Sequence, residues 1–220
     1  ERMRREFAAN VSHELKTPLQ VITGSAEMLD DGTVKPQDAP EFIHLIRTES
    51  ARMMSLVEDI IHLSRLDEGA PAGMEPVDLY ETARAAVSAL ESRAKEKHVA
   101  LSVSGGAASV MGVPGYLYEM VYDLCDNAIQ YNVEAGRVEV SVTKEGGSTV
   151  LTVKDTGIGI PKEYQARVFE RFYRVDKSRS KASGGTGLGL SIVKHIARVH
   201  GAAVSLSSRA GEGTLVSVVF

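Results

Sequence analysis

Phe7-Ala8-Ala9-Asn10-Val11-Ser12-His13-Glu14-Leu15-Lys16-Thr17-Pro18-Leu19 is the stretch on which the fold turns. It heads a run in which Leu15, Leu19, Ile22, Ala26 and Leu29 recur at alternating steps of four and three, the spacing of one helix face. Residues four apart stack on a helix, so His13 and Thr17 share one surface patch beside Glu14. Pro18 has no amide hydrogen, which strips the Glu14 carbonyl of its usual partner and predicts a bend there.

Working outward, Phe42, Ile46, Glu49, Met53, Leu56, Ile60 and Leu63 repeat the same period in a second helix. The intervening Asp30-Asp31-Gly32-Thr33-Val34-Lys35-Pro36-Gln37-Asp38 is rich enough in turn formers to reverse the chain, with Asp31 or Asp38 as caps. Leu45, Val57 and Ile61 widen the second apolar stripe beyond what one partner helix covers. A homodimer that closes the hairpins into a four-helix bundle buries it most simply. Residues 1–66 therefore read as a dimerisation unit. Residues 67–76, with two glycines and two prolines, read as a linker.

From Val77 the pattern alternates. Helical spacing runs from Val77 to Lys97, over Gly115 to Tyr131 and over Leu188 to His200. Strand alternation marks Val99–Val103, a hairpin of 137–142 and 149–153 about Glu145-Gly146-Gly147, and a last strand pair about Gly211-Glu212-Gly213. The expected fold class is α+β: a two-helix hairpin followed by an α/β two-layer sandwich over residues 77–220.

Net charge of −4 leaves no electrostatic footprint for nucleic acid. The single cysteine, Cys125, excludes an internal disulfide. No run of about eighteen apolar residues is long enough to cross a bilayer. The charged opening, Glu1-Arg2-Met3-Arg4-Arg5-Glu6, looks like a chain cut in mid-helix, so a fragment of a longer protein is expected.

Four blocks in the second part carry chemistry. Asp123-Leu124-Cys125-Asp126-Asn127-Ala128-Ile129-Gln130-Tyr131 lies on a helix with Asp123 and Asn127 on one face, oxygen donors suited to Mg²⁺. Asp155-Thr156-Gly157-Ile158-Gly159-Ile160 follows a strand. A buried carboxylate there accepts a hydrogen bond from an exocyclic amine, and glycines let backbone approach a ring. Val168-Phe169-Glu170-Arg171-Phe172-Tyr173-Arg174 leads into a polar stretch with Lys177. Gly184-Gly185-Thr186-Gly187-Leu188-Gly189-Leu190 opens a helix, where backbone amides and the dipole favour phosphate oxygens.

The first stretch resembles the H box of sensor histidine kinases. The four blocks resemble, in order, the N box, the acidic glycine box, the phenylalanine box and the second glycine box of the ATP-binding fold shared by histidine kinases, gyrase, MutL-type repair proteins and certain heat-shock chaperones. The resemblance implies autophosphorylation of His13 by ATP with Mg²⁺, then phosphoryl transfer to an aspartate on a response-regulator receiver domain. Glu14 would hold or deprotonate the other ring nitrogen, and Thr17 would place water for dephosphorylating that regulator. It assigns ATP binding to Asp123, Asn127, Gln130, Tyr131, Asp155, Gly157, Gly159, Ile160, Arg174, Lys177, Gly185, Thr186, Gly187, Leu188 and Gly189, and the metal to Asn127 and Asp123. The parent would be a membrane-anchored bacterial sensor, of which this chain is a cytoplasmic piece. His44, His62, His98, His195 and His200 lack an acid–threonine setting and are expected to be structural or solvated.

This chain departs from the family at Asp123, where asparagine is usual, and at Gln130, where lysine is usual. Both changes make the expected phosphate site more negative. They leave a phosphatase-biased or scaffold variant as the alternative to an active kinase. A clamp ATPase of the gyrase or chaperone kind lacks the H-box hairpin.

Overall fold

The computed structural model describes residues 2–67, 73–175 and 185–220. It divides into two compact units, and Gly185 and Thr186 group with the first.

The first unit contains α1 (Arg2–Asp30) and the bulk of α2 (Ala39–Asp67). Helix α1 runs unbroken through Pro18, so the expected bend is no break in the helix. In the turn between the helices the Asp31 carboxylate accepts from the Thr33 amide at 2.9 Å. Thr33, through its side chain first and its amide second, holds that carboxyl below the ordinary aspartate value. Gly32 supplies the left-handed φ of +73° that the reversal needs. Arg52 of α2 joins Glu14 of α1 at 3.6 Å and Glu49 of its own helix at 3.5 Å, a tie between the helices. Leu56 is buried, yet Leu19, Ile43, Leu45, Met54, Val57 and Ile61 are exposed, so the hairpin leaves much of its apolar surface uncovered.

The second unit begins where α2 ends. Its elements are β1 (Glu75–Asp78), α3 (Leu79–Glu96), β2 (Ala100–Gly105), β3 (Ser109–Gly112), α4 (Pro114–Gln130), β4 (Arg137–Glu145), β5 (Ser148–Asp155), the single turn α5 (Lys162–Gln165), α6 (Gly189–Val199), β6 (Ala203–Arg209) and β7 (Gly213–Val219). Five strands form one sheet in the order β2-β4-β5-β7-β6, parallel only at β2–β4. Val140 pairs with Val153 and Val153 with Val216, so one face of the sheet presents a continuous band of valines. Helices α3, α4 and α6 supply the second layer, with Leu79, Leu90, Leu117, Met120, Ile192 and Ile196 essentially inaccessible. Truncating one such side chain to Ala costs about 2–5 kcal/mol.

Two features depart from the sequence expectation. β1 starts at Glu75, inside the stretch read as a linker, and pairs antiparallel with β3, Val77 opposite Val110. Helix α3 consequently begins at Leu79, not Val77. Its N-cap, Asp78, accepts from the amides of Tyr80 at 3.0 Å and Glu81 at 3.4 Å, and from Ala108 at 3.3 Å. One carboxylate thus caps the helix and ties it to the segment entering β3.

Candidate functional site

In the first unit His13 is exposed, whereas Thr17 and Glu14 are half-buried. The Thr17 hydroxyl donates back to the His13 carbonyl at 3.3 Å, so the two residues share a face as the spacing requires. Glu14 turns to Arg52 and not to the imidazole. The Thr186 hydroxyl donates to Asp59 of α2 at 2.6 Å, and burial pushes the Asp59 carboxyl up against the lowering effect of that bond. Thr186, expected among the ATP contacts, is therefore engaged within the first unit.

The second unit brings the remaining blocks together by backbone. Asp155 ends β5 with its Oδ1 accepting from the amides of Gly157 at 2.7 Å and Thr214 at 3.2 Å. Among the described residues its Oδ2 takes no hydrogen bond. Burial pushes the carboxyl above the ordinary aspartate range, and the two amides pull it partly back. The loop after it is pinned on both sides. Ile158 donates to the Tyr131 carbonyl at the end of α4 at 3.0 Å, and its own carbonyl accepts from Gly211 at 2.8 Å. The Ile160 amide donates to the Ser208 hydroxyl at 2.8 Å, and Gln165 bridges the carbonyls of Ile160 and Ser208 at 2.7 Å each.

Glycine is obligatory at two places here. A Cβ at Gly157 would strike the Tyr131 carbonyl, and one at Gly159, held at φ +64°, would strike the Arg209 carbonyl. The approach that the sequence suggests for a flat ring is thus already used to seat the loop against α4 and β6.

One turn back along α4 from Tyr131, the Asn127 amide nitrogen donates to the Asp123 carbonyl at 2.9 Å, which leaves Asn127 Oδ1 directed away from that carbonyl. The site of a Cβ on Gly189, the first residue of α6, lies 3.4 Å from the Asn127 side chain and 3.5 Å from the Asp123 carboxylate. The N box and second glycine box therefore meet. An amide oxygen and a carboxylate one turn apart are hard donors that fit Mg²⁺. Among the described residues no cluster of three or more His, Cys, Asp or Glu forms an all-protein cage, so a cation here would draw its other ligands from phosphate or water. Phe172, at the unusual φ of +64°, donates its amide to the Gly187 carbonyl at 2.9 Å. The Cβ site of Gly187, itself at φ +76°, lies 3.3 Å from Arg174 Nε. Strain held by surrounding structure is often found at ligand sites. Leu188 is fully buried below this junction. Lys177 lies outside the described residues, as does Gly184.

Gln165, Ser208 and Thr214 organise the loop yet have no motif around them; only the glycine pair about Glu212 hinted that this turn approaches something closely. Of the remaining histidines, His195 is buried with Nε2 2.8 Å from the Leu66 carbonyl. His200 bridges two helices through Ile196 and Val113. Cys125 is buried, its thiol pushed up to about 12, and is chemically quiet.

Residues 3–69 match the His Kinase A (phospho-acceptor) domain, and residues 112–220 match the histidine kinase-, DNA gyrase B- and HSP90-like ATPase family. The chain is 40% identical over 217 residues to the sensor-like histidine kinase SenX3 of Mycolicibacterium smegmatis, covering 97% of this chain and 56% of that protein. Full-length ShkA, solved in complex with AMPPNP, superposes with a TM-score of 0.69 at 29% identity over 97% of this chain and 45% of that one. The histidine kinase AdeS of Acinetobacter baumannii shares the fold with a TM-score of 0.74 at 23% identity, over 94% and 96% of the two chains. The chain spans about half the length of the curated relatives it matches. An exposed histidine on a hairpin that matches the phospho-acceptor family, followed by the matching ATPase fold, makes this chain a member of the sensor histidine kinases.

Proposed function

We propose that the chain phosphorylates itself on His13 with ATP and passes the phosphoryl group to an aspartate of a response-regulator receiver domain. Residues 1–66 act as the dimerisation and phosphotransfer domain, residues 67–76 as the linker and residues 77–220 as the ATP-binding domain. The observation that carries this reading is the junction of Asn127, Asp123 and Gly189 in the same chain as the exposed His13. The AMPPNP complex of ShkA supports a nucleotide in such a fold.

Asp155 Oδ2 accepts from the adenine amine, with Gly157, Gly159, Ile160 and Tyr131 framing the base. The amides of Leu188 and Gly189 at the head of α6, with Gly187 and Arg174, face the phosphates. Mg²⁺, held by Asn127 and Asp123, would neutralise phosphate charge. A neutral ring nitrogen of His13 attacks the γ-phosphorus in line. The new N–P bond forms as the bond to the β–γ bridging oxygen breaks, and ADP leaves with that electron pair. For Glu14 to accept a proton or hydrogen bond from the other ring nitrogen, its pair with Arg52 must open. That pair is long at 3.6 Å, and Arg52, only 9% exposed, keeps Glu49 at 3.5 Å as its partner when Glu14 turns away. Thr17 places water for hydrolysis of the receiver's aspartyl phosphate, which releases inorganic phosphate and the free carboxylate.

The exposed Leu45, Val57 and Ile61 support a homodimeric bundle. The parent protein is a longer bacterial sensor anchored in a membrane outside these residues. Among the described residues no helix is long and apolar enough to cross one. Peptide mapping at alkaline pH after incubation with ATP and Mg²⁺ tests the assignment. Phosphate should sit on the peptide bearing His13, and phosphate confined to another peptide would overturn the reading.

A further inference from the structure

Helix α4 carries three carboxylates, Glu119, Asp123 and Asp126, and no lysine or arginine of its own. A triphosphate placed beside them needs a cation from elsewhere. The structure delivers one from α3. Arg93 Nε pairs with Asp126 Oδ1 at 2.9 Å, and its Nη2 donates to Gln130 Oε1 at 3.1 Å. The pair spans 37 positions in sequence, which is why no local motif announces it. The Gln130 hydrogen bond orients the planar guanidinium, and Asp126 holds it as an ion pair without hydrogen-bond geometry, on consecutive turns of α4.

The remaining nitrogen, Nη1, has no hydrogen-bond partner among the described residues, and 41% of the side chain is exposed. Arg93 is thus held by two of its nitrogens and open at the third. Its neighbourhood is that of the metal-side residues. Asp126, its ion-pair partner, immediately precedes Asn127 and lies three positions after Asp123 on α4. Asp123 in turn lies beside Gly189 at the head of α6.

We propose that Arg93 is a phosphate-binding residue of the nucleotide site, positioned by Asp126 and Gln130. Gln130 then has a different task from a phosphate ligand: its amide oxygen steers the guanidinium. A lysine in its place would lose that acceptor and set an ammonium against Arg93. The departure at Gln130 is a cation moved from α4 to α3, which removes the ground for reading the chain as an impaired kinase. This inference rests on the α4–α6 junction being the ATP site.

Calorimetric titration of the 220-residue chain with ATP and Mg²⁺, and separately with adenosine, tests it in three forms: unsubstituted, Arg93→Gln, and Arg93→Gln with Gln130→Lys. A contact of this kind, screened by solvent and metal, is worth about tenfold in affinity. Arg93→Gln should weaken ATP about tenfold and leave adenosine within about twofold, which also reports that the fold is intact. The double variant, with the cation returned to α4, should recover most of the loss. Unchanged ATP binding in Arg93→Gln would overturn the proposal and leave the site reading standing. An equal fall for ATP and adenosine would reduce Arg93 to a brace between α3 and α4. Failure of the unsubstituted chain to bind either ligand would overturn the site reading itself.

Discussion

In the proposed site Asp155 accepts from the adenine amine best as an anion, and burial makes that anion harder to form. The raised carboxyl sets a direction. As pH falls, the site protonates at a higher pH than an exposed aspartate would, and adenosine affinity should begin to fall there. Calorimetry from neutral to acid pH should show that decline in the unsubstituted chain. Asp155→Asn should bind weakly with a flat profile; an equally steep profile would place the titrating group elsewhere. Thr17, whose hydroxyl bonds the His13 carbonyl, lies close enough to His13 for two functions to be confused. Thr17→Ala should leave His13 phosphorylation within about twofold while slowing receiver dephosphorylation at least tenfold, because only the second step needs a placed water. Equal losses in both assays would contradict that division. At this scale the sequence is readable where chemistry repeats locally: His13 with Thr17, Asp123 with Asn127, Asp155 with Gly157. It is silent where a contact joins distant positions, as with Thr214 on Asp155 or Arg93 on Gln130.

The elements that carry these residues are held by close backbone approach more than by side-chain bonds. Gly213 shows this at the start of β7. Its φ is +99°, and a Cβ there would strike the Asp155 carbonyl. Gly146 also has a positive φ, +57°, but open space around it. Gly146→Ala should therefore cost about 1 kcal/mol, the left-handed penalty alone, whereas Gly213→Ala should cost about 2–4 kcal/mol. Urea unfolding of both variants decides it, and equal costs would mean the β5–β7 approach is loose. Helices α3, α4 and α6 and the β4–β5 hairpin were legible because each carries its own period and turn. The β1–β3 pair was not, since two four-residue strands, one containing Pro76, meet across thirty intervening positions. The position of α3's first residue followed from that pairing.

For the whole molecule, dimerisation and adenosine binding should be separable. Val57→Glu with Ile61→Glu places charge on exposed apolar α2 positions and should shift the chain from dimer to monomer in sedimentation at micromolar concentration. Adenosine affinity should be unchanged, because the residues framing the base all lie in the second unit. A variant that stays dimeric would mean that another face joins the protomers. The succession of a helical hairpin and an α/β layer was visible in the change from one period to alternating elements, whereas the compact units divide between Ser64 and Arg65. The engagement of Thr186 with Asp59 was not, because nothing local to the glycine-rich stretch marks an acid 127 positions away. The account stands or falls on where the γ-phosphate goes. Incubation of the chain and of its His13→Gln variant with γ-labelled ATP and Mg²⁺, followed by acid and base treatment, asks that directly. The account predicts acid-labile, base-stable label on the unsubstituted chain and none on the variant, with ATP binding intact in both. Label on the variant at the level of the unsubstituted chain, or ATP turnover with no labelled protein, would contradict it.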